Sequence, residues 1–243
     1  MTSGAQRRAG VPQAKGSTPM VRDAVTMDDA KKAAGVHAAG YVEDGMRVGL
    51  GTGSTVHHTI VALGDRRPDI TCTATSLRTH ELATSLGLVV VSPDEIGHLD
   101  ITIDGADEVD GELNLTKGGG GAHTREKIVA AMSDRFVIVV DESKLVERLG
   151  PFGTPLEVLE FAPGVVAAAV QALGATSVST RDARSDNGNL LCDAHFPAID
   201  DPVALAAALS GIPGIVEHGI FPGGMVERVI VAGADGTVTQ RTH

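Results

Sequence analysis

The run Lys117-Gly-Gly-Gly-Gly-Ala-His-Thr-Arg-Glu-Lys127 joins a cation, four consecutive glycines and the start of a helical pattern. Glycine loses more conformational freedom on folding than any other residue, so four in a row are costly for a loop that only connects. They let a backbone approach a ligand closely, and Lys117 beside them suits an anion. Glu126 has two readings: a carboxylate that favours the dipole of a first helical turn, or an acid-base group facing the glycines. Thr124 is the expected N-cap. His123 serves either as a hydrogen-bonding residue or as a second acid or base.

Three further stretches carry polar residues at places where ligands bind. Gly49-Leu-Gly-Thr-Gly-Ser-Thr55 follows an apolar run and opens a helical one, where free N–H groups and hydroxyls can hold a phosphate. It lacks the Gly-Lys of a Walker A loop and the full GxGxxG dinucleotide spacing, and the plainer reading is a tight turn capped by Ser54 or Thr55. Asp104-Gly-Ala-Asp-Glu-Val-Asp110 crowds carboxylates at the end of a strand; a solvated loop and a metal site are the alternatives. The spacing has no EF-hand order and no HExxH pair, which speaks against metal. Asp141-Glu-Ser-Lys144 again puts a cation after a strand. Lys31 and Lys32 read as a helix surface, and His57 and His58 as a helix flank.

The elements that must position these residues alternate along the chain. A helix is expected over 28–41, a strand from Arg47 into the glycines, and a helix through Val56, Ile60 and Leu63. Strands at 70–74, 88–91, 101–103 and 136–140, with helices at 79–86 and 124–132, predict a doubly wound parallel sheet whose ligands sit beyond the strand carboxyl ends. After Gly150 the order becomes strand (156–161), helix (165–173), strand (177–181), strand (190–196), helix (203–209) and strand (215–221), the split βαββαβ motif. Asp186-Asn-Gly-Asn189 marks its central hairpin. Residues 226–231 and a last hairpin near Asp235-Gly236 return to the first sheet.

The expected architecture is therefore α/β. A leader covers 1–26, a Rossmann-like catalytic domain 27–149 and 222–243, and a smaller ferredoxin-like α+β domain 150–221. The leader is rich in Gly, Ser, Ala, Gln and Arg and is expected to be disordered, with Met20 or Met27 as alternative starts.

Composition narrows the function. A net charge of −11 repels polyanions, and with five Phe, one Tyr and no Trp there is little for bases to stack on; no nucleic-acid partner is expected. No apolar run reaches the ~18 residues of a membrane span, and the opening segment lacks a signal-peptide centre, so the chain is expected to be cytoplasmic with no membrane partner. Cys72 and Cys192 match no CxxC or zinc spacing and read as reduced thiols.

Taken together, Gly51-Thr-Gly-Ser-Thr55, Asp104-Gly-Ala-Asp-Glu108, Lys117-Gly-Gly-Gly120 with Thr124-Arg-Glu-Lys127, and Asp141-Glu-Ser-Lys144 closely resemble the ribose-5-phosphate isomerase A family. The likeness runs from about Met27 to the end and includes Asp186-Asn-Gly-Asn189 and Ile212-Pro-Gly-Ile-Val216. It implies interconversion of D-ribose 5-phosphate and D-ribulose 5-phosphate through a cis-enediolate, in the non-oxidative pentose phosphate pathway, with no metal and no cofactor. By the same resemblance Glu126 is the base that carries the proton between C2 and C1. Asp104 and Asp107, with Gly105 and Ala106, hold sugar hydroxyls and assist ring opening. Lys117 and the amides of Gly118, Gly119 and Gly120 stabilise the enediolate oxygen. Thr52, Gly53, Ser54 and Thr55, with Lys31 and Lys144, bind the phosphate. A homodimer or larger homo-oligomer is implied as well. Gly121 and His123 depart from the small or aliphatic residues expected there. Phosphosugar-binding regulators and coenzyme A transferases share similar sheets; the first would need a DNA-binding module, the second a Glu that forms a thioester.

Overall fold

The computed structural model describes Met1 and residues 26–243; the leader expected over 1–26 lies outside the described residues except at its two ends. Helix α1 (Met27–Ala39) opens on a reciprocal cap in which Thr26 Oγ1 accepts the Asp29 N–H and the Asp29 carboxylate accepts from Thr26. The chain then alternates through β1 (Arg47–Leu50), α2 (Ser54–Arg66), β2 (Thr71–Ala74), α3 (Leu77–Ser85), β3 (Val89–Val90), a short α4 (Pro93–Ile96) and β4 (Ile101–Asp104). Two short strands, β5 (Glu108–Val109) and β6 (Leu115–Thr116), precede α5 (His123–Ala131) and β7 (Phe136–Asp141).

The next block is β8 (Thr154–Val158), α6 (Pro163–Ala172), β9 (Ser177–Arg184), β10 (Leu190–His195), α7 (Pro202–Ser210) and β11 (Ile215–His218). The chain ends with β12 (Ile220–Phe221), β13 (Arg228–Ala232) and β14 (Val238–Arg241). The main sheet has the order β14-β13-β7-β4-β1-β2-β3 and is parallel except for the antiparallel edge pair β13 and β14. Strands β8 to β11 form an antiparallel sheet in the order β11-β8-β10-β9, the pattern expected of the split βαβ motif. A third sheet joins β12, β6 and β5.

The fold class read from the alternation is that of the molecule. Its main core comes from aliphatic side chains, because central parallel strands are covered on both faces: Val48, Leu50, Ile101, Ile103, Val137 and Val139 are all fully buried. Helices α1 and α2 approach so closely that a Cβ on Gly35 would lie 2.7 Å from His58 Cβ.

One expected strand is divided. The run 215–221 leaves the antiparallel sheet after His218 and enters the third sheet at Ile220. Gly219 makes the crossing, donating its N–H to Pro155 O at 2.7 Å while its own carbonyl accepts the Lys117 N–H at 2.8 Å. A side chain there would overlap Lys117 O, so the crossing needs glycine and pins Lys117.

Candidate active site

Strand order in the main sheet reverses between β1 and β4, whose neighbours run outward in opposite directions along the chain. A crevice opens beyond the carboxyl ends of two such strands. Gly51–Gly53 link β1 to α2 and Gly105–Asp107 follow β4, so the two polar motifs meet across one gap. A Cβ on Gly51 would overlap the Asp104 carboxylate, so only glycine lets these loops meet. The cleft has a volume of about 130 Å³ and opens to solvent, a small site for a small ligand. Every site residue named from the sequence lines it except Asp104 and Lys31.

At its floor stand three buried ionisable groups. Lys117 Nζ lies 3.1 Å from Asp104 Oδ2 and 3.3 Å from Glu126 Oε2, and donates to Gly105 O. Neither carboxylate oxygen accepts an aligned hydrogen bond from the protein, so these are ion pairs with unused acceptor capacity. Asp104 has no exposed surface; its Oδ1 accepts the Thr52 and Gly105 N–H groups at 3.0 and 2.7 Å, which ties the two loops together behind Lys117.

Two carboxylates and one ammonium withdrawn from water leave an excess negative charge that a proton can relieve. Burial first, then the Asp104 charge, push the Glu126 carboxyl from 4.5 up to about 8 against the opposing pull of Lys117. Burial also raises Asp104, opposed by Lys117 and the two amides. Burial works against the Lys117 charge, but Asp104 and Glu126 outweigh it and its pKa is raised. A helix N-terminus and a lysine should by themselves lower Glu126; desolvation wins here.

The expected N-cap at Thr124 is replaced. Ala122 caps α5 without a side-chain hydrogen bond, and Thr124 lies inside the first turn with its hydroxyl given to Glu157. Glu157 is fully buried on β8 and also accepts from Ser185, Asn187 and Asn189 of the central hairpin. Those bonds hold its carboxyl below the usual range although burial opposes them. The antiparallel sheet thereby grips the turn of α5 that carries Glu126.

At the other end of the cleft, α2 begins on Gly53 (φ +136°), with no side chain capping its first turn. Neither Ser54 nor Thr55 caps it; both sit within the turn. Its free N–H groups and positive dipole end are suited to an anion. Lys31 Nζ stands 3.2 Å from Ser54 Oγ and 3.4 Å from Asp141 Oδ2, at the rim of this site, and Lys144 lines the cleft itself. Thr52 is otherwise occupied: its N–H goes to Asp104, and its hydroxyl joins those of Thr75, Ser76 and Thr79 at 2.8–3.0 Å. It forms wall rather than donor.

The glycine loop is held from both sides. Asp107 Oδ2 accepts the Gly119 N–H at 2.7 Å, and Gly118 takes φ +108°, closed to most side chains. His123 lies behind the loop with no exposed surface and does not line the cleft; burial lowers its pKa to about 4. The other acidic residues of the Asp104 motif are structural. Glu108 accepts from Thr116 and from the backbone of Gly150 and Phe152, and Asp110 closes its own turn onto Glu112 and Asn114.

Residues 71–236 match the family model for ribose 5-phosphate isomerase A (phosphoriboisomerase A). A ribose-5-phosphate isomerase A from Parvibaculum lavamentivorans is 46% identical over 222 residues, covering 86% of this chain and 95% of that one. The chain belongs to the ribose 5-phosphate isomerase A family. The crystal structure of the Neisseria gonorrhoeae ribose 5-phosphate isomerase A superimposes with a TM-score of 0.86 at 36% identity, covering 90% of this chain and 98% of that one. The Methanocaldococcus jannaschii enzyme gives 0.83 at 38% identity, over 89% and 99% of the two chains.

Two residues that shape this site, Glu157 and Arg181, were not singled out from the sequence. Glu157 was a usable clue, a carboxylate inside the apolar run Leu156-Glu-Val158, but nothing local named its partners. Arg181, whose guanidinium touches the glycine loop, stood in a strand of mostly exposed residues.

Proposed function

We propose that the chain interconverts D-ribose 5-phosphate and D-ribulose 5-phosphate in the pentose phosphate pathway, without a metal. The observation that carries this reading is Glu126, a buried carboxylate lining the cleft with a pKa near 8 and an unused oxygen beside Lys117. A base of that strength, in its ionised form, is matched to removing a proton from carbon next to a carbonyl.

In this reading the phosphate sits at the start of α2 with Lys144 and Lys31, and the opened sugar extends toward Glu126. Glu126 takes the C2 proton and returns it to C1. Lys117 and the amides of Gly118 and Gly120 face the oxygen on which negative charge develops, the Gly119 N–H being taken by Asp107, and preorganised donors contribute most there. Asp107, on the cleft wall, takes sugar hydroxyls and assists ring opening. Asp104, buried behind Lys117, acts on the substrate chiefly by holding that ammonium; its Oδ2 is the only acceptor it has to spare.

The same reading assigns the catalytic unit to 27–149 with 222–243 and the smaller unit to 150–221, in a cytoplasmic homo-oligomer. Among the described residues no helix is long and apolar enough to cross a membrane. Phe161, Val165 and Leu159 expose 98%, 71% and 48% of their surface at one end of the antiparallel sheet, which favours a covered face. Light scattering that returned the mass of a single chain would count against the oligomer.

The deciding experiment follows conversion of ribose 5-phosphate by purified protein in excess EDTA. Sustained turnover is expected. Its absence, with activity restored by a divalent ion, would overturn the metal-free reading. No turnover under any condition, with a thioester trapped on Glu126 from an acyl coenzyme A, would favour the transferase reading.

A further inference from the structure

Arg181 projects from β9 to the back of the glycine loop. Its Nε and Nη2 grip Asp193 on β10 at 2.8 and 2.6 Å. The remaining nitrogen, Nη1, donates to Gly118 O at 2.9 Å and to Gly119 O at 3.0 Å. Arg181 does not line the cleft. We propose that it is a positioning residue, setting the 119–120 peptide plane of the glycine loop so that the Gly120 N–H faces the developing oxyanion.

The geometry follows from the trans peptide. Carbonyl and N–H of one peptide unit point in opposite directions, so a carbonyl held toward Arg181 sends its N–H the other way. The first of the two peptides shows this directly, since the N–H paired with Gly118 C=O belongs to Gly119 and meets Asp107, which lines the cleft. The second carries the N–H of Gly120. Among the described residues that N–H has no protein acceptor, and Gly120 lines the cleft.

The first peptide is also held within the loop, by the Gly121 N–H on Gly118 O at 2.9 Å and by Asp107 on the Gly119 N–H. Among the described residues the 119–120 peptide has no partner except Arg181, and glycines on either side leave it free to rotate without that clamp. A flipped 119–120 peptide would present a carbonyl where a donor is needed. The guanidinium prevents this in a way an ammonium cannot fully copy, because its planar fork grips Asp193 with two nitrogens while a third reaches the loop. The positive charge behind the carbonyls also polarises the peptides and strengthens their N–H groups as donors.

The proposal rests on the isomerase reading, and wild-type turnover tests that reading separately. The variants are Arg181→Met, which keeps length and removes every donor, and Arg181→Lys, which keeps the charge. Each is assayed for kcat and KM with ribose 5-phosphate, and for inhibition by inorganic phosphate and by phospho-erythronic acid, the ligand bound in one solved relative. Its carboxylate is a planar, charged oxygen pair like that of an enediolate.

Removing a direct oxyanion donor typically lowers kcat about 10²- to 10³-fold, and misaligning one should do less. Arg181→Met is expected to lose about 10- to 100-fold in kcat with KM within about threefold. Affinity for the phospho-acid should fall about tenfold or more, and affinity for phosphate should not change. Arg181→Lys should show the same pattern at about 3- to 10-fold. An active wild type with wild-type kcat and acid affinity in whichever variant folds would overturn the proposal. So would equal losses toward phosphate and acid, the mark of a collapsed site.

Discussion

Replacing Glu126 with Gln should abolish most activity and make the protein more stable, and the gain should depend on pH. The carboxyl rises from 4.5 in the unfolded chain to about 8 in the folded one, mainly through burial and then through Asp104. Folded protein therefore binds the proton more tightly. The stability this supplies is whole below pH 4.5 and is lost progressively up to pH 8. At about 1.36 kcal/mol per unit, the loss amounts to roughly 3 kcal/mol at pH 7 and on the order of 5 kcal/mol above pH 8. Glutamine has nearly the same shape and never ionises, so Glu126→Gln escapes that loss. Urea unfolding of both proteins at pH 5, 7 and 9 should show a difference of about 1 kcal/mol or less at pH 5, widening to several kcal/mol at pH 9. Over the same range the variant should lose about 10²- to 10⁴-fold in kcat while still binding substrate. A stability difference that stayed flat with pH, or a variant weaker than wild type at pH 9, would refute the claim that Glu126 holds its proton to high pH. A near-normal kcat would refute its role as the base.

Other outcomes follow from the same geometry. The kcat/KM of the wild-type enzyme should climb with pH and level off above about pH 8, because the base must be ionised in the free enzyme and its pKa is raised to about 8; a profile already flat at pH 6 would contradict this. Lys144→Ala should raise KM about tenfold or more with little change in kcat, since Lys144 lines the cleft and in the proposed reading binds the phosphate rather than the travelling proton. Gly51→Ala should destabilise the fold by about 2 kcal/mol or more and lower kcat, because the new methyl overlaps the Asp104 carboxylate that holds Lys117; thermal melting and steady-state kinetics check the two effects.

The parallel sheet was legible because central strands leave apolar runs that turn chemistry punctuates, and the antiparallel unit was legible from Asp186-Asn-Gly-Asn189 between two strands. The short strands β5, β6 and β12 were not. They have two residues each, and β12 reaches its partner β6 only because Gly219 lets the chain cross from one sheet to another. Thr124 matched the local rule for a cap, and a tertiary partner, Glu157, took its hydroxyl instead. Of the residues expected to bind phosphate, Thr52, Gly53, Ser54, Thr55 and Lys144 line the cleft and Lys31 does not, and Thr52 spends both its N–H and its hydroxyl on the protein.

For this protein the sequence alone determined which groups meet. Gly-rich turns and carboxylates at strand ends can converge only at the reversal point of a doubly wound sheet, and four ordered motifs specify the family. What the sequence could not determine was the balance of opposing fields on Glu126. Its neighbours in the chain, a helix start and nearby lysines, all argue for a lowered pKa. Desolvation depends on everything packed around the group, including Asp104 twenty-two residues away, and only the folded arrangement makes it the larger effect. The glycine loop is a similar case: its composition announces flexibility, and the guanidinium that removes it arrives from another sheet.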